Sequence, residues 1–314
     1  MDRIKSVLVF IDPRVGEHPA IAKAARIAAG FRARLVLSIV EPSSAACASN
    51  FLDAATCRLA QDRLILPHRG RLETLAEPLR DAGLTVDTEV VLETPLAAAM
   101  LAQIKALRPS LVVMDTHPHS LLRRAFLSHL DWFLLRESPA PLLLAKPRAW
   151  GPGPLHIAGA VDPGHPDDKP WSLDHEILGT LEYLSTGFPC ELSVVNAFCS
   201  LEEFAELGTG GSPEYAASVV TPVAAARRQQ ADALRQLLAG HQLERERVHL
   251  VEGSPVEALP SFVSHHRIDL LVMGVISRGR LFEHFIGSTA ERMLDEIECD
   301  VLALKPESLA ARLW

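Results

Sequence analysis

The chain has 314 residues, 48% of them apolar and 22% charged, with a formal net charge of −8. That length suits about two domains, and the acidic balance excludes a nonspecific nucleic-acid binder, which needs clustered Lys and Arg to displace counterions. Five scattered cysteines without a CxxC pair or zinc spacing read as reduced, buried thiols of a cytoplasmic protein, and no apolar run approaches the ~20 residues of a membrane helix.

Ser6–Ile11 is the first β-rich run, too short for a signal peptide and closed by Asp12-Pro13. Apolar Ile21, Ala24, Ala25 and Ala28 predict a helix from Pro19 to Gly30. Arg34–Val40 reads as a strand, and a long helical region runs from Ala54 to Ala82, with Pro67 expected to kink or divide it. Thr85–Leu92 (strand), Pro95–Leu107 (helix), Leu111–Met114 (strand), Phe126–Arg136 (helix) and Leu142–Ala145 (strand) complete a first half. Arg148–Pro154 holds Gly and Pro without periodicity and reads as a linker, so the expected domains are 1–148 and 149–314. In the second half, strands are predicted at His156–Val161, Glu191–Ala197, Arg247–Val251, Leu270–Met273 and Val301–Leu304. Helices are predicted at Ser172–Thr186, Glu214–Leu238, Pro255–His266 and Ser288–Ile297.

The halves repeat each other. Ser110-Leu-Val-Val-Met-Asp115 returns as Asp269-Leu-Leu-Val-Met-Gly274, and the Lys146-Pro147 that ends one closing strand returns as Lys305-Pro306. Both pairs keep one offset, 269 − 110 = 159 and 305 − 146 = 159, which is far beyond a solenoid period and marks a duplicated domain. Strands alternating with helices imply a parallel sheet covered on both faces, and the continuous apolar strands agree. In such sheets ligands sit beyond the carboxyl ends of the strands, where the strand order reverses. The loops after the first and fourth strands of each half are therefore the candidate sites.

After its fourth strand the second half carries Gly274, Ser277, Arg278, Gly279, Arg280, and then Gly287-Ser288-Thr289 opening a helix. Glycine at a strand end lets backbone approach a ligand, and free N–H groups at a helix start favour an anion. Ser288-Thr-Ala-Glu291 is equally a capping box that starts a helix and does nothing else. Local chemistry leaves both readings open.

An Asp ending strand one, a Gly-x-x-Gly-x9-Gly-Ser/Thr loop after strand four and a last strand ending in Lys-Pro resemble the universal stress protein family. The tandem arrangement, with Asp131-Trp132-x-Leu-Leu-Arg136 in one half and Gly287-Ser-Thr-Ala-Glu291 in the other, resembles its E-type double-domain members. The resemblance covers nearly the whole chain. It implies two flavodoxin-like (Rossmann-like) α/β domains, each a five-stranded parallel sheet of order 3-2-1-4-5, with ATP-type nucleotide binding in some members. It implies, too, that the halves pair through their last strands as single-domain members dimerise. A dimer of the tandem chain and an unnamed protein partner are further expectations. Carried over, Asp162 matches the acidic nucleotide contact, Val194 the strand-two position beside the adenine, and Gly274, Gly287 and Ser288 the phosphate loop, with Thr289 following in the helix start. Ser277 departs from the motif's second glycine, at a strain of about 1–2 kcal/mol if that position needs φ > 0, and Gly279 offers a shifted turn.

Subtracting 159 from Gly274, Ser277, Gly287 and Ser288 gives Asp115, Pro118, Ser128 and His129, so the first half has lost every glycine of the loop. Asp12 persists, with Ile39 placed opposite Val194, and this half is expected to be nucleotide-incompetent and mainly structural. His117-Pro-His119 lacks partners for a metal site. His265-His266 suits the negative end of a helix, and Glu244–Arg247 reads as a solvated face. Without a GxSxG, Walker A or HExxH motif, the expected function is a cytoplasmic stress-response binding module rather than an enzyme. Slow ATP hydrolysis, a protein-interaction scaffold, or an apolar ligand at the Gly- and Ser-rich insertion Phe198–Pro213 are the alternatives.

Overall fold

Runs of Val, Leu and Ile bounded by Asp, Pro and Gly form the strands of the fold. A computed structural model describes residues 3–42, 54–116, 127–163, 172–198, 227–243, 247–275 and 288–306. The chain divides between Trp150 and Gly151 into two units, each α/β.

The first unit runs β1 (Ser6–Phe10), α1 (Pro19–Phe31), β2 (Arg34–Glu41), α2 (Ala54–Asp81), β3 (Val86–Leu92), α3 (Leu96–Leu107), β4 (Leu111–Asp115), α4 (His129–Glu137) and β5 (Leu142–Ala145). β1 pairs in parallel with β2 and β4, β2 with β3, and β4 with β5, giving the expected order 3-2-1-4-5. Consecutive residues Val7, Leu8 and Val9 are wholly buried, as are Val112 and Val113. Burial on both faces is why these strands are continuous apolar runs.

α2 is not divided at Pro67: one helix continues through both Pro67 and Pro78. A proline removes one helix hydrogen bond, but Pro67 and Arg63, whose carbonyl would have accepted it, are exposed to water. Among the described residues of this helix only Leu72 and Ala76 are fully buried, and Pro67 itself is exposed. α4 begins at His129 rather than Phe126, which lies outside the described residues. Ser128 caps it: its hydroxyl accepts from Asp131 N at 3.2 Å while its own N–H donates to Asp131 Oδ2 at 2.7 Å. This reciprocal pair satisfies two free donors and fixes the helix start.

The second unit runs β6 (Leu155–Ala160), α5 (Ser172–Ser185), β7 (Cys190–Phe198), α6 (residues 227–238), β8 (Val248–Glu252), α7 (Pro255–His265), β9 (Leu270–Gly274), α8 (Ser288–Glu296) and β10 (Asp300–Leu304). The part of the predicted helix before residue 227 lies outside the described residues. Parallel pairings of β6 with β7 and β9, β7 with β8, and β9 with β10 repeat the first unit's order. The duplication extends to detail. Ser110 N donates to Ser6 O at 3.0 Å, and Asp269 N, 159 residues on, donates to His156 O at 2.8 Å.

Candidate functional site

In the second unit the strand order reverses between β6 and β9, which places Asp162 and Gly274 beyond neighbouring strand ends. Asp162 lies two residues past β6, and its N–H donates to Asp174 Oδ1 at 3.1 Å. Asp174 is buried in the first turn of α5, so the helix start and the loop after β6 are tied together. The space over Gly274 is already filled. A Cβ there would overlap Leu173 Cδ2 and lie 3.1 Å from its Cγ, so the missing side chain is what lets α5 pack against β9. Ser288 and Thr289 open α8. Ser277, Gly279 and Gly287, together with Arg278 and Arg280, lie outside the described residues.

Val194 is in mid-strand, paired with Gly159 and Val248 and 1% exposed. The strands also correct its assigned counterpart. Ile11 N donates to Ser38 O and Val161 N to Val195 O, so Val195 corresponds to Ser38, Val194 to Leu37, and Ile39 to Asn196. A two-residue slip keeps every side chain on its face, so the hydrophobic pattern gave no warning. Asn196, bonded to the residue before Asp162, is a buried polar group that sequence reading missed. It is wholly buried, its Nδ2 donates to Val161 O at 2.9 Å, and its Oδ1 has no hydrogen-bond partner. An amide inside the apolar run Val194-Val-Asn-Ala-Phe198 was the available signal.

The first unit holds a cavity of about 380 Å³ at the carboxyl ends of β1, β2 and β4. Phe10, Ile11, Val40, Leu96, Met100, Met114 and Leu130 form its apolar walls, and Asp12, Arg14, Glu41, Asp115 and Asp131 its charged ones. Asp12 holds Arg14 with both oxygens, at 2.9 and 2.8 Å, and this hydrogen bond and charge raise the Arg14 guanidinium above its usual value. Arg71 of α2 fixes the loop between them by donating to Pro13 O at 2.5 Å and to Val15 O. Asp115 Oδ1 accepts the Ala20 N–H at 2.7 Å, a carboxylate at the start of α1 where the dipole favours it. Gly274 and Asp115 are thus the same position used oppositely. In the second unit Leu173, the second residue of α5, fills the space; in the first, Ala20, the second residue of α1, leaves it to a carboxylate.

His265 ends α7, and the neighbouring His266 packs on Phe262 and His249, with ring centroids 4.4 and 4.7 Å apart. Burial first, and then the charge of His266, push the His249 imidazole below its usual value. Burial and then His265 do the same to His266. Among the described residues no group of three His, Cys, Asp or Glu is placed to hold a metal, and none of their helices is long and apolar enough to cross a membrane. His117 and His119 lie outside those residues. Arg247 pairs with Glu191 at 2.8 Å on an exposed face, and residues 244–246 lie outside the described set.

Comparison with known proteins follows the same architecture. Universal stress protein E of Salmonella typhi is 25% identical over 98% of this chain and 96% of its own length. Its counterpart in Escherichia coli K12 is 24% identical, over 98% and 96%. The crystal structure of a functionally unknown protein from Pseudomonas aeruginosa PAO1 covers 99% of this chain and 95% of its own, with a TM-score of 0.74 and 27% identity. A universal stress protein from Archaeoglobus fulgidus superposes at 0.65 with 13% identity over 97% and 100%, a likeness of fold. The family model for universal stress proteins matches residues 3–146 and 190–305. With one matching segment in each α/β unit, this chain belongs to the universal stress protein family, as two tandem copies of its domain.

Proposed function

We propose that this protein acts in stress response, in the cytoplasm, as a binding module that responds to an adenine nucleotide through its second domain, 149–314, while domain 1–148 has no nucleotide role. One contrast supports the proposal. The fourth strand of the second unit ends in Gly274 ahead of a helix opening at Ser288, whereas that of the first ends in Asp115, whose charge opposes a phosphate. Asp162 lies beyond the adjoining strand end, where a ribose or phosphate contact belongs in this architecture. Pairing of the two halves through their last strands, and a dimer of the whole chain, belong to the same proposal.

Isothermal titration with ATP, ADP and AMP tests it. Saturable heat with the intact protein, abolished in Gly287→Glu, is the expected result. No heat with any of the three removes the nucleotide. Long incubation with ATP separates binding from slow hydrolysis: recovery of intact ATP leaves a binding module, and release of ADP makes the same loop an ATPase.

A further inference from the structure

We propose that His18 is a proton-operated switch, which holds the loop after β1 closed when neutral and releases it when protonated. Residues 11–18 join β1 to α1, and Asp12, Pro13 and Arg14 among them form one wall of the first unit's cavity. Arg71 of α2 grips this loop, donating to Pro13 O at 2.5 Å and to Val15 O. His18 closes the loop from its other end. Its side chain is 2% exposed, with Nδ1 3.4 Å from Asp115 Oδ2 at the end of β4 and Nε2 3.4 Å from the Arg71 guanidinium.

These two contacts make opposite demands on the imidazole. A guanidinium only donates and keeps its charge, so Nε2 must turn its lone pair to Arg71. The one ring proton of the neutral form then sits on Nδ1, facing Asp115. A second proton can go only to Nε2, where it sets a donor against a donor and a cation against a cation, away from water. The same Arg71 nitrogen, Nη2, serves both His18 Nε2 and Val15 O, so driving it off the ring draws it from the carbonyl. Asp115 gains by the same step. Neither His18 Nδ1 nor Asp115 Oδ2 has a hydrogen-bond partner. A small shift of a cationic ring toward the carboxylate turns their 3.4 Å contact into a charge-assisted bond of about 2.7–2.9 Å. Protonation thus trades Arg71 for Asp115. Among the described residues the other charges nearby have partners or face water: Asp12 holds Arg14, Asp131 accepts from Ser128 N, and the Lys23 ammonium of α1 donates to Lys146 O. Glu17, next in the chain, is exposed, and Glu41 is half-buried at the cavity rim. Histidine ordinarily changes charge between about pH 5 and 8, so the loop answers to mild acid.

Magnetic resonance on the full chain tests this through two readings. Long-range nitrogen–proton spectra at about pH 8, where histidine is ordinarily neutral, show His18 as the Nδ1–H tautomer. The Val15 amide donates to Asp12 O across the loop, and its protection from hydrogen exchange is the second reading. That protection falls about tenfold or more between about pH 8 and pH 5, as expected for losing hydrogen bonds from a charged group, and it falls in step with the ring signals of His18. His18→Gln, which carries no titrating proton, abolishes the step. Arg71→Ala leaves Val15 weakly protected across the whole range. His249→Phe, in the second unit, leaves the step in place, which separates it from acid loss of stability there. An Nε2–H tautomer in the neutral form, flat protection of Val15 across the titration, or a step that survives in His18→Gln overturns the inference. The tautomer and the wild-type titration need no variant, so they decide the matter even if His18→Gln does not fold. No arm contains ATP, so the outcome is independent of the nucleotide proposal.

Discussion

Replacing Gly274 with alanine isolates the contact between β9 and α5. The added Cβ overlaps Leu173 Cδ2 and lies 3.1 Å from its Cγ and 3.5 Å from its Cδ1. Leu173 is 2% exposed, so it has little open space to swing into. Overpacking of this kind costs about 1–3 kcal/mol. Leu173→Ala alone removes a buried leucine and costs about 2–5 kcal/mol through the cavity it leaves. In the double variant the new methyl occupies part of that cavity, so the two losses do not add. A favourable coupling of about 1–3 kcal/mol is expected from the cycle. The first unit supports this pairing, because Ala20 and the side chain of Asp115 coexist there at the equivalent positions. Urea unfolding of wild type, both single variants and the double gives the four free energies. Additivity within about 0.5 kcal/mol would refute the packing explanation of Gly274. The folded double variant then tests ligand approach separately: loss of ATP heat with stability restored assigns Gly274 a role in binding as well.

Three further outcomes follow from buried polar groups. Arg71→Ala leaves the carbonyls of Pro13 and Val15 without their donor and costs about 1–3 kcal/mol; hydrogen exchange at Val15 accelerates, and unchanged exchange rejects the anchoring role. Asn196→Ile copies Ile39 of the first unit: it removes the unpaired Oδ1 but strands Val161 O, so stability stays within about 1 kcal/mol, and a loss above about 2 kcal/mol in urea contradicts that balance. His249 and His266 are both pushed below the usual imidazole value of about 6.5. The unfolded chain therefore binds more protons than the folded one as pH falls below about 6.5, so their contribution is whole above that value and is lost as pH falls through the folded values. Urea midpoints at about pH 7.5 and pH 5.5 should differ in that direction, and His249→Phe should flatten the difference; an unaltered slope refutes the assignment.

The strands were legible because burial on both faces writes them as unbroken apolar runs, and the duplication because Ser110–Asp115 and Asp269–Gly274 occupy one offset. Helix ends were less so. Proline rules describe a lost hydrogen bond, and they left open a division at Pro67 that does not occur, because the cost depends on exposure, which only the packed helix reveals. The correspondence of Ile39 with Val194 failed for a different reason: a slip of two preserves alternation, and only the ladder bonds to Ser38 and Val195 fix the register. Gly274 was readable as a place where backbone can approach a ligand, but not as one whose space is filled by Leu173, which lies 101 residues earlier (274 − 173 = 101). The cavity was the least legible feature. Its walls come from β1, β2, α3, β4, α4 and their flanking loops, and no local motif joins Phe10 to Met100 or Leu130.

The sequence reading treats the first unit as nucleotide-incompetent, and the fold shows why that reading turns on loop chemistry and not on topology. The position beyond β1 and β4 is a property of the strand order and survives any change of loop chemistry. What differs among the described residues is the group at the end of the fourth strand. A carboxylate about 6 Å from a phosphate opposes one unit of its charge by about 3 kcal/mol at an effective dielectric near 20, before screening, so a few uncompensated carboxylates suffice to exclude a polyphosphate. Duplication supplied two copies of one strand order, and the proposed difference between them rests on a single position at the end of the fourth strand, Gly274 in one unit and Asp115 in the other.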